Sequence, residues 1–397
     1  MQKNAWRDSD ALTKICSAMV PIICLYWGYD GLIRSFGLTI SLAVVFLCLF
    51  VERKVMVYKP FLLFSLFYIG RRLISLLITG DFSASAISDF FLIVIVALSI
   101  IIISAYINKD ILYKVWFVLG ALVAGMVLYQ AFVCYVLDQK VVPFIIGPLN
   151  DTSGNWSIGS YRPSACFPEP TVVVLFLAPL IARTLKKQKY LFAVIFSVVT
   201  LLTTSTNGII SIVILWGFYF LLKSDFSNFK KIMLSILLLV CSAILVNLPI
   251  FANTFSKLMH ELTGSSSNLY VRMIFGYDTF KQMGLLGKIF GTGYNSVRDL
   301  RLNGGINLGS VTDTTLYSYL NSIQSVLIYS GVIGLILWIK TLISMYKDVE
   351  QEYKSFLILT IVLMFGTGTF YNVVSLLIYL FLISTMNENW ILVKIKN

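Results

Sequence analysis

The chain has 397 residues, 58% of them hydrophobic and 13% charged, with a mean hydropathy of +0.85 and a formal net charge of +12. Soluble domains carry about 25% charged residues, so the composition excludes an ordinary soluble enzyme and points to a polytopic α-helical membrane protein. The basic surplus sits in short loops between apolar runs, as the positive-inside rule requires, so nucleic acid is not the expected partner.

The apolar runs predict spans near 11–27, 36–51, 60–79, 88–107, 111–136, 167–182, 190–204, 208–222, 231–250, 318–339, 355–369 and 372–386. Runs of roughly 14–25 residues suit a bilayer crossed by helices. They are continuous rather than alternating, so strands are not expected. The first run reads as a retained span rather than a cleaved leader. The expected fold is therefore all-α: one membrane domain over 1–397 with about twelve transmembrane helices. Six cysteines, at 16, 24, 48, 134, 166 and 241, are scattered, mostly inside apolar runs. They suggest neither a disulfide framework nor a metal cluster.

Twelve spans put both termini on one side. That side then receives 20 of the 31 basic residues, the other side 9, and Arg71 and Arg72 fall inside the third span. The richer side is expected to be cytoplasmic. Two outer loops are long, 137–166 and 251–316, and long ordered loops are usually functional. In the second, Phe255, Leu258, Met259 and Leu262 mark one apolar helix face, with Lys257, His260 and Glu261 on the polar face. A second helix is expected near Leu269, its apolar face formed by Tyr270, Met273, Ile274, Tyr277 and Phe280, with Arg272 roughly opposite. Both read as short amphipathic helices at the outer membrane surface. Gly291 to Asn295 reads as a tight turn, followed by Arg298 and Arg301.

Chemistry concentrates in a few places. Tyr161-Arg162-Pro163 ends the first outer loop, and Phe167-Pro168-Glu169-Pro170 opens an apolar run. Proline suits the first helical turn, where its missing N–H has no partner to lose. Glu169 is thereby held at the mouth of a membrane helix, seven residues after Arg162. Arg71 and Arg72 point about 100° apart, so both cannot easily snorkel, and charges inside spans usually face a cavity or a partner. An anionic headgroup is the simplest contact for them. His260, the chain's only histidine, has an unperturbed pKa suited to proton transfer at neutral pH. Asp8-Ser9-Asp10 imitates a metal-binding motif in a tail too short to hold a nucleotide, and Gly284 to Lys288 lacks phosphate-loop spacing.

In order, these features resemble the O-antigen polymerase (Wzy-type) branch of the bacterial polysaccharide polymerase and ligase superfamily. Arg162-x-x-x-x-Phe167-x-Glu169-Pro170 resembles its Arg…Phe-x-Glu-Pro signature. Thr203 to Gly208 resembles its Thr/Ser-rich turn between two short spans. Arg272 with Gly287 to Asn295 resembles one half of its large outer loop, and Asn321 to Gly334 the span that follows. One departure is Asn207, where the family usually has Arg. The anion contact placed there is then missing or comes from elsewhere, with Arg71 and Arg72 as candidates.

The resemblance implies a glycosyltransferase of the bacterial cytoplasmic membrane, both termini inside and the site facing out. It would polymerise oligosaccharide repeat units carried on undecaprenyl pyrophosphate, with membrane lipid and a chain-length regulator protein as partners, and with no cofactor or metal. Preorganised cations would stabilise charge on the leaving pyrophosphate. Arg162 and Arg272 are the expected catalytic cations, and Glu169 or His260 the base. Arg71, Arg72, Arg298, Tyr161, Tyr270 and Asn295 are expected contacts for pyrophosphate or sugar. The rival readings are ligation of finished polymer to lipid A–core, for which the Glu-Pro is atypical, and a lipid-oligosaccharide flippase or transporter, which leaves the large outer loop unexplained.

Overall fold

The structure, a computed structural model, describes residues 10–26, 32–51, 54–80, 82–139, 162–167, 169–223, 226–246, 274–293, 320–366, 373–386 and 388–394. The described chain is mostly helical. Its helices are α1 (Asp10–Tyr26), α2 (Leu32–Val51), α3 (Lys59–Thr79), α4 (Ala84–Ile103), α5 (Lys109–Tyr135), α6 (Pro170–Lys186), α7 (Tyr190–Leu202), α8 (Thr206–Leu222) and α9 (Asn228–Val246). Two short helices follow, α10 (Gly276–Gln282) and α11 (Leu285–Phe290), then α12 (Ser322–Asp348), α13 (Lys354–Gly366) and α14 (Val373–Ser384). A helix thus lies on every predicted apolar run. Among the described residues, four segments are long and apolar enough to cross a membrane by length and composition: α3, 86–106, α5 and α12. Several shorter apolar helices accompany them.

Local chemistry sets the helix ends. Pro60 stands in the first turn of α3, and Gly80, at φ 64°, ends it by donating its N–H to Leu76. Asn108 caps α5 by accepting from the N–H groups of Asp110 and Ile111. Asn321 caps α12 by accepting from the N–H of Gln324 at 2.8 Å. Each cap satisfies a backbone donor that the helix itself leaves open.

Helix α6 is central. Every residue from Val173 to Leu185 is buried, as expected of a helix apolar on all faces. It packs against α5, α7, α8, α13 and α14. Trp116 of α5 donates to the Phe176 carbonyl at 3.0 Å, tying the two rods together. Outward-facing apolar side chains, such as Phe50, Leu66, Ile78 and Leu122, form the periphery.

One feature departs from the expectation of no strands. Lys54–Tyr58 (β1) pairs antiparallel with Trp390–Lys394 (β2), from Lys54 opposite Lys394 to Tyr58 opposite Trp390. These five-residue strands lie between and after apolar runs, where a test for membrane-length segments does not look. The ribbon also fixes helix directions. Tyr58 and Asn389 both donate to Asp348 Oδ2, at 2.7 and 2.6 Å. Lys109 and Lys186 both pair with Glu350. Arg183 donates to Asp110 at 2.7 Å and to Tyr353. The segments around 54–59, 109–114, 183–189, 340–354 and 390–394 therefore gather at one end of the bundle, here called the ribbon end. The starts of α6 and α12 and the end of α3 lie at the opposite end.

Helix α12 is broken at Gly331, whose φ of 65° and ψ of −168° are not helical. The segment Gly291-Thr292-Gly293 lies in the break. Thr292 N–H donates to Ile328 O at 2.9 Å and Gly293 N–H to Tyr329 O at 3.0 Å. Gly291 and Gly331 face each other so closely that a Cβ on either would collide with backbone, and both have left-handed φ, a combination open to glycine alone. The expected surface turn at 291–295 is therefore, over its described part, a packed insert.

Helix α10 also differs in register from the predicted second amphipathic helix. It turns Phe275, Gly276, Thr279 and Met283 inward, while Ile274 is 49% exposed. Tyr277 and Phe280 are half-buried. Close approach to α12 at Gly276 outweighs the aromatic stripe. The predicted first amphipathic helix, at 255–262, lies outside the described residues.

Candidate functional site

At the end opposite the ribbon, three pieces of chain meet: the C-terminal turns of α5, the 162–169 segment that leads into α6, and the 203–205 turn between α7 and α8. Gln130 of α5 organises the second piece. Its carboxamide is fully buried, and its Oε1 accepts from the N–H groups of Ser164 and Ala165 at 3.0 and 2.7 Å. Its Nε2 donates to Ala165 O at 3.0 Å. Ala165 sits at φ 55°, the left-handed region, and Phe167 N–H closes the turn onto Ser164 O at 2.9 Å. Phe167 is buried, with its ring centroid 5.4 Å from that of Phe176.

These contacts predict a stability effect. Gln130→Leu strands two buried N–H groups and one carbonyl, at about 1–3 kcal/mol for each unsatisfied group. A loss of at least about 3 kcal/mol should appear as a lowered midpoint of thermal unfolding in detergent. An unchanged midpoint would contradict this account of the turn.

The pinned turn carries Arg162 and Glu169 to the mouth of α6. Glu169 is exposed and occupies the N-cap position, with φ −137° and ψ 145°, but its side chain makes no capping hydrogen bond. Pro170, which has no N–H to satisfy, follows it. Val172 N–H is taken by the Glu169 carbonyl at 3.0 Å. The carboxylate is thus held at a helix N-terminus and is not consumed by the cap. Arg162 is half-buried. Burial pulls its pKa below the ordinary guanidinium value, and the nearby Glu169 and Tyr135 act in the opposite direction.

Tyr135, at the end of α5, links this pair to the third piece. Its hydroxyl donates to Leu202 O at 3.2 Å, and it lies within hydrogen-bonding reach of Thr204. Thr204 has φ 49°, and its N–H is held by Leu201 O at 2.8 Å. Thr203 bonds back to Thr200 O at 2.7 Å. Thr171, in the first turn of α6, has its hydroxyl 3.5 Å from that of Ser205. Close packing permits the turn, because a Cβ at Gly208 would lie 3.0 Å from Thr200 O. Tyr135, Thr171 and the buried 203–205 turn thus lie against the segment that carries Arg162 and Glu169.

Arg71 and Arg72 have a different setting from the expected headgroup contact. Arg71 donates from Nε and Nη2 to the Phe290 and Gly291 carbonyls, at 2.6–3.2 Å. Arg72 reaches Gly293 O at 3.4 Å, and Ser75 donates to Thr292 O at 2.7 Å. Although 100° apart on α3, the two arginines grip the same inserted segment. Arg71 is first of all a clamp on backbone.

The structure therefore brings Arg162 near Glu169, while Arg71 and Arg72 of α3 grip the 290–293 segment inserted into α12. Tyr161, His260, Tyr270, Arg272, Asn295 and Arg298 lie outside the described residues. Sequence reasoning missed Tyr135 and Gln130. Both carried a signal, since each is a polar group close to the end of a long apolar run. Among the described residues, no group of three His, Cys, Asp or Glu side chains is placed to hold a metal ion. No protein-family model matches the chain, and no curated protein matches it.

Proposed function

We propose that the chain is a membrane-embedded glycosyltransferase that polymerises lipid-linked oligosaccharide repeat units. The observation that carries this reading is Arg162 held near Glu169 by a pinned turn at the mouth of the central helix. The growing glycan's anomeric C–O bond to undecaprenyl pyrophosphate breaks as a hydroxyl of the incoming lipid-linked unit attacks the anomeric carbon. The hydroxyl proton passes to Glu169, or to His260 of the outer loop. Charge builds on the departing pyrophosphate, where Arg162 and Arg272 stabilise it. Tyr135, Thr171 and the 203–205 hydroxyls orient sugar. The first outer loop supplies Tyr161, and the second Tyr270, Asn295 and Arg298, for further contacts to sugar or pyrophosphate. The clamped arginines, Arg71 and Arg72, hold the 290–293 insert in α12.

Incubating purified protein with lipid-linked repeat units tests the reading. A ladder of products supports it. A single transfer to lipid A–core supports the ligase, and movement of lipid across vesicles without covalent product supports the transporter.

The proposal places the ribbon end in the cytoplasm of a bacterial inner membrane and the Glu169 end outside, with both termini cytoplasmic. Reporters fused near Lys187, Lys230 or Lys347 should then report cytoplasm, and those near Ser157 or Asn303 the outside. External signal from a fusion near Lys187 would contradict the assignment.

A further inference from the structure

At the ribbon end, a cavity of about 460 Å³ opens between the last turns of α6 and α8 and the turn at 351–353. Lys186 and Lys223 line it, together with Tyr219, Glu352 and the amides of Gln188 and Gln351. Pockets that hold small ligands have about this size.

Both lysines are half-buried. Lys186 pairs with Glu350 and lies 4.7 Å over the Tyr353 ring. Burial, with Lys109, Arg183 and Lys187 close by, pulls its pKa down to about 8, against the pull of Glu352. A further anion beside it would relieve that crowding of positive charge. Lys223 is held by rings rather than by a carboxylate. Its Nζ donates to the Tyr190 hydroxyl at 3.0 Å and lies 4.7 Å from the Phe226 ring and 5.6 Å from the Tyr219 ring. The bond to Tyr190 uses one of its three N–H donors. Among the described residues, Lys223 forms no salt bridge.

The cavity adjoins apolar surface that faces outward. Leu221 precedes the cavity residues Leu222 and Lys223 and is exposed. From Tyr190, α7 continues into an exposed stripe of Leu191, Val194 and Val198. Charge and apolar surface therefore meet as the head and tails of a phospholipid do. Basic pockets between helices at the cytoplasmic side suit such heads.

We propose that this cavity holds the headgroup of an anionic phospholipid, phosphatidylglycerol, with Lys186 and Lys223 on its phosphate. Gln188 donates to the same group, and Glu352 accepts from the glycerol hydroxyls. The acyl chains follow the α7 stripe. The proposal requires that the bundle spans a membrane and is independent of the polymerase reading.

Delipidated protein in detergent, titrated with phosphatidylglycerol, phosphatidylcholine or glycerol 3-phosphate, tests it by native mass spectrometry and by the midpoint of thermal unfolding. Wild type should bind phosphatidylglycerol about fivefold or more above phosphatidylcholine, the effect of one lysine near an anionic headgroup. Lys223→Gln and Gln188→Glu should each lose about that factor, with lipid-free midpoints unchanged. Gln188 is exposed in its turn, so the second variant serves where the first folds poorly. Lys230→Gln, at an exposed lysine of the same end outside the cavity, should bind as wild type does. An equal loss in Lys230→Gln would mark general attraction to a basic surface and overturn the proposal. So would equal affinity for the two lipids, or unchanged phosphatidylglycerol binding in both cavity variants. A midpoint raised as much by glycerol 3-phosphate as by phosphatidylglycerol would overturn the lipid and make a free phosphate ester the occupant.

Discussion

Arg162→Ala is expected to abolish most polymer formation while leaving the protein folded in the membrane. The expected loss is about 100-fold or more, the scale seen when one preorganised donor to a developing anion is removed. Arg162 is suited to that task because it is half-buried in a turn fixed by Gln130, at the mouth of α6. Burial weakens its competition from water, and Glu169 and Tyr135 keep the site polar enough to hold the charge. Arg162→Lys should recover little, because a point charge replaces a planar fork that can grip two phosphate oxygens. Thermal unfolding in detergent separates this from misfolding: Arg162→Ala should unfold near wild type, whereas Gln130→Leu should not. Near-normal polymer from Arg162→Ala at matched protein levels would reject the assignment.

Glu169 is the second large effect, and the choice of replacement decides its role. Its carboxylate stands at a helix N-terminus, where negative charge is favourable, yet it makes no capping bond. A carboxylate retained for the cap would be expected to make that bond. Glu169→Gln keeps the shape and most hydrogen bonds but cannot accept a proton. If Glu169 is the base, Glu169→Gln falls with Glu169→Ala, by about 100-fold to 10,000-fold. If it only positions Arg162, Glu169→Gln keeps partial activity, and His260→Ala shows the complementary loss. Full activity in both Glu169→Gln and His260→Ala would mean that neither is the base.

The helices were legible because each apolar run is continuous and bounded by Pro, Gly, Asn or charge. The β-ribbon was not, since Lys54–Tyr58 and Trp390–Lys394 are separated by over 330 residues and neither strand has a partner in its own neighbourhood. The break at Gly331 was hidden for a related reason. A lone glycine in an apolar run is tolerated in helices, and only the approach of Gly291 shows why it is needed. Arg162 and Glu169 could be picked out because charge at the edge of an apolar run is conspicuous. Gln130 and Tyr135 stood out only as polar groups near the end of an apolar run, and their roles depend on which backbone lies opposite them. Arg71 and Arg72 were conspicuous for their charge, yet sequence alone could not show that backbone carbonyls would take Arg71.

The central claim is that this end of the bundle joins sugars at the expense of a lipid pyrophosphate bond. The measurement that reaches it most directly follows released undecaprenyl pyrophosphate alongside polymer length in a purified reaction with lipid-linked repeat units. The account predicts one undecaprenyl pyrophosphate released for each repeat unit added, with both signals lost in Arg162→Ala. Lipid-linked units crossing a vesicle membrane intact, with no undecaprenyl pyrophosphate released, would contradict it.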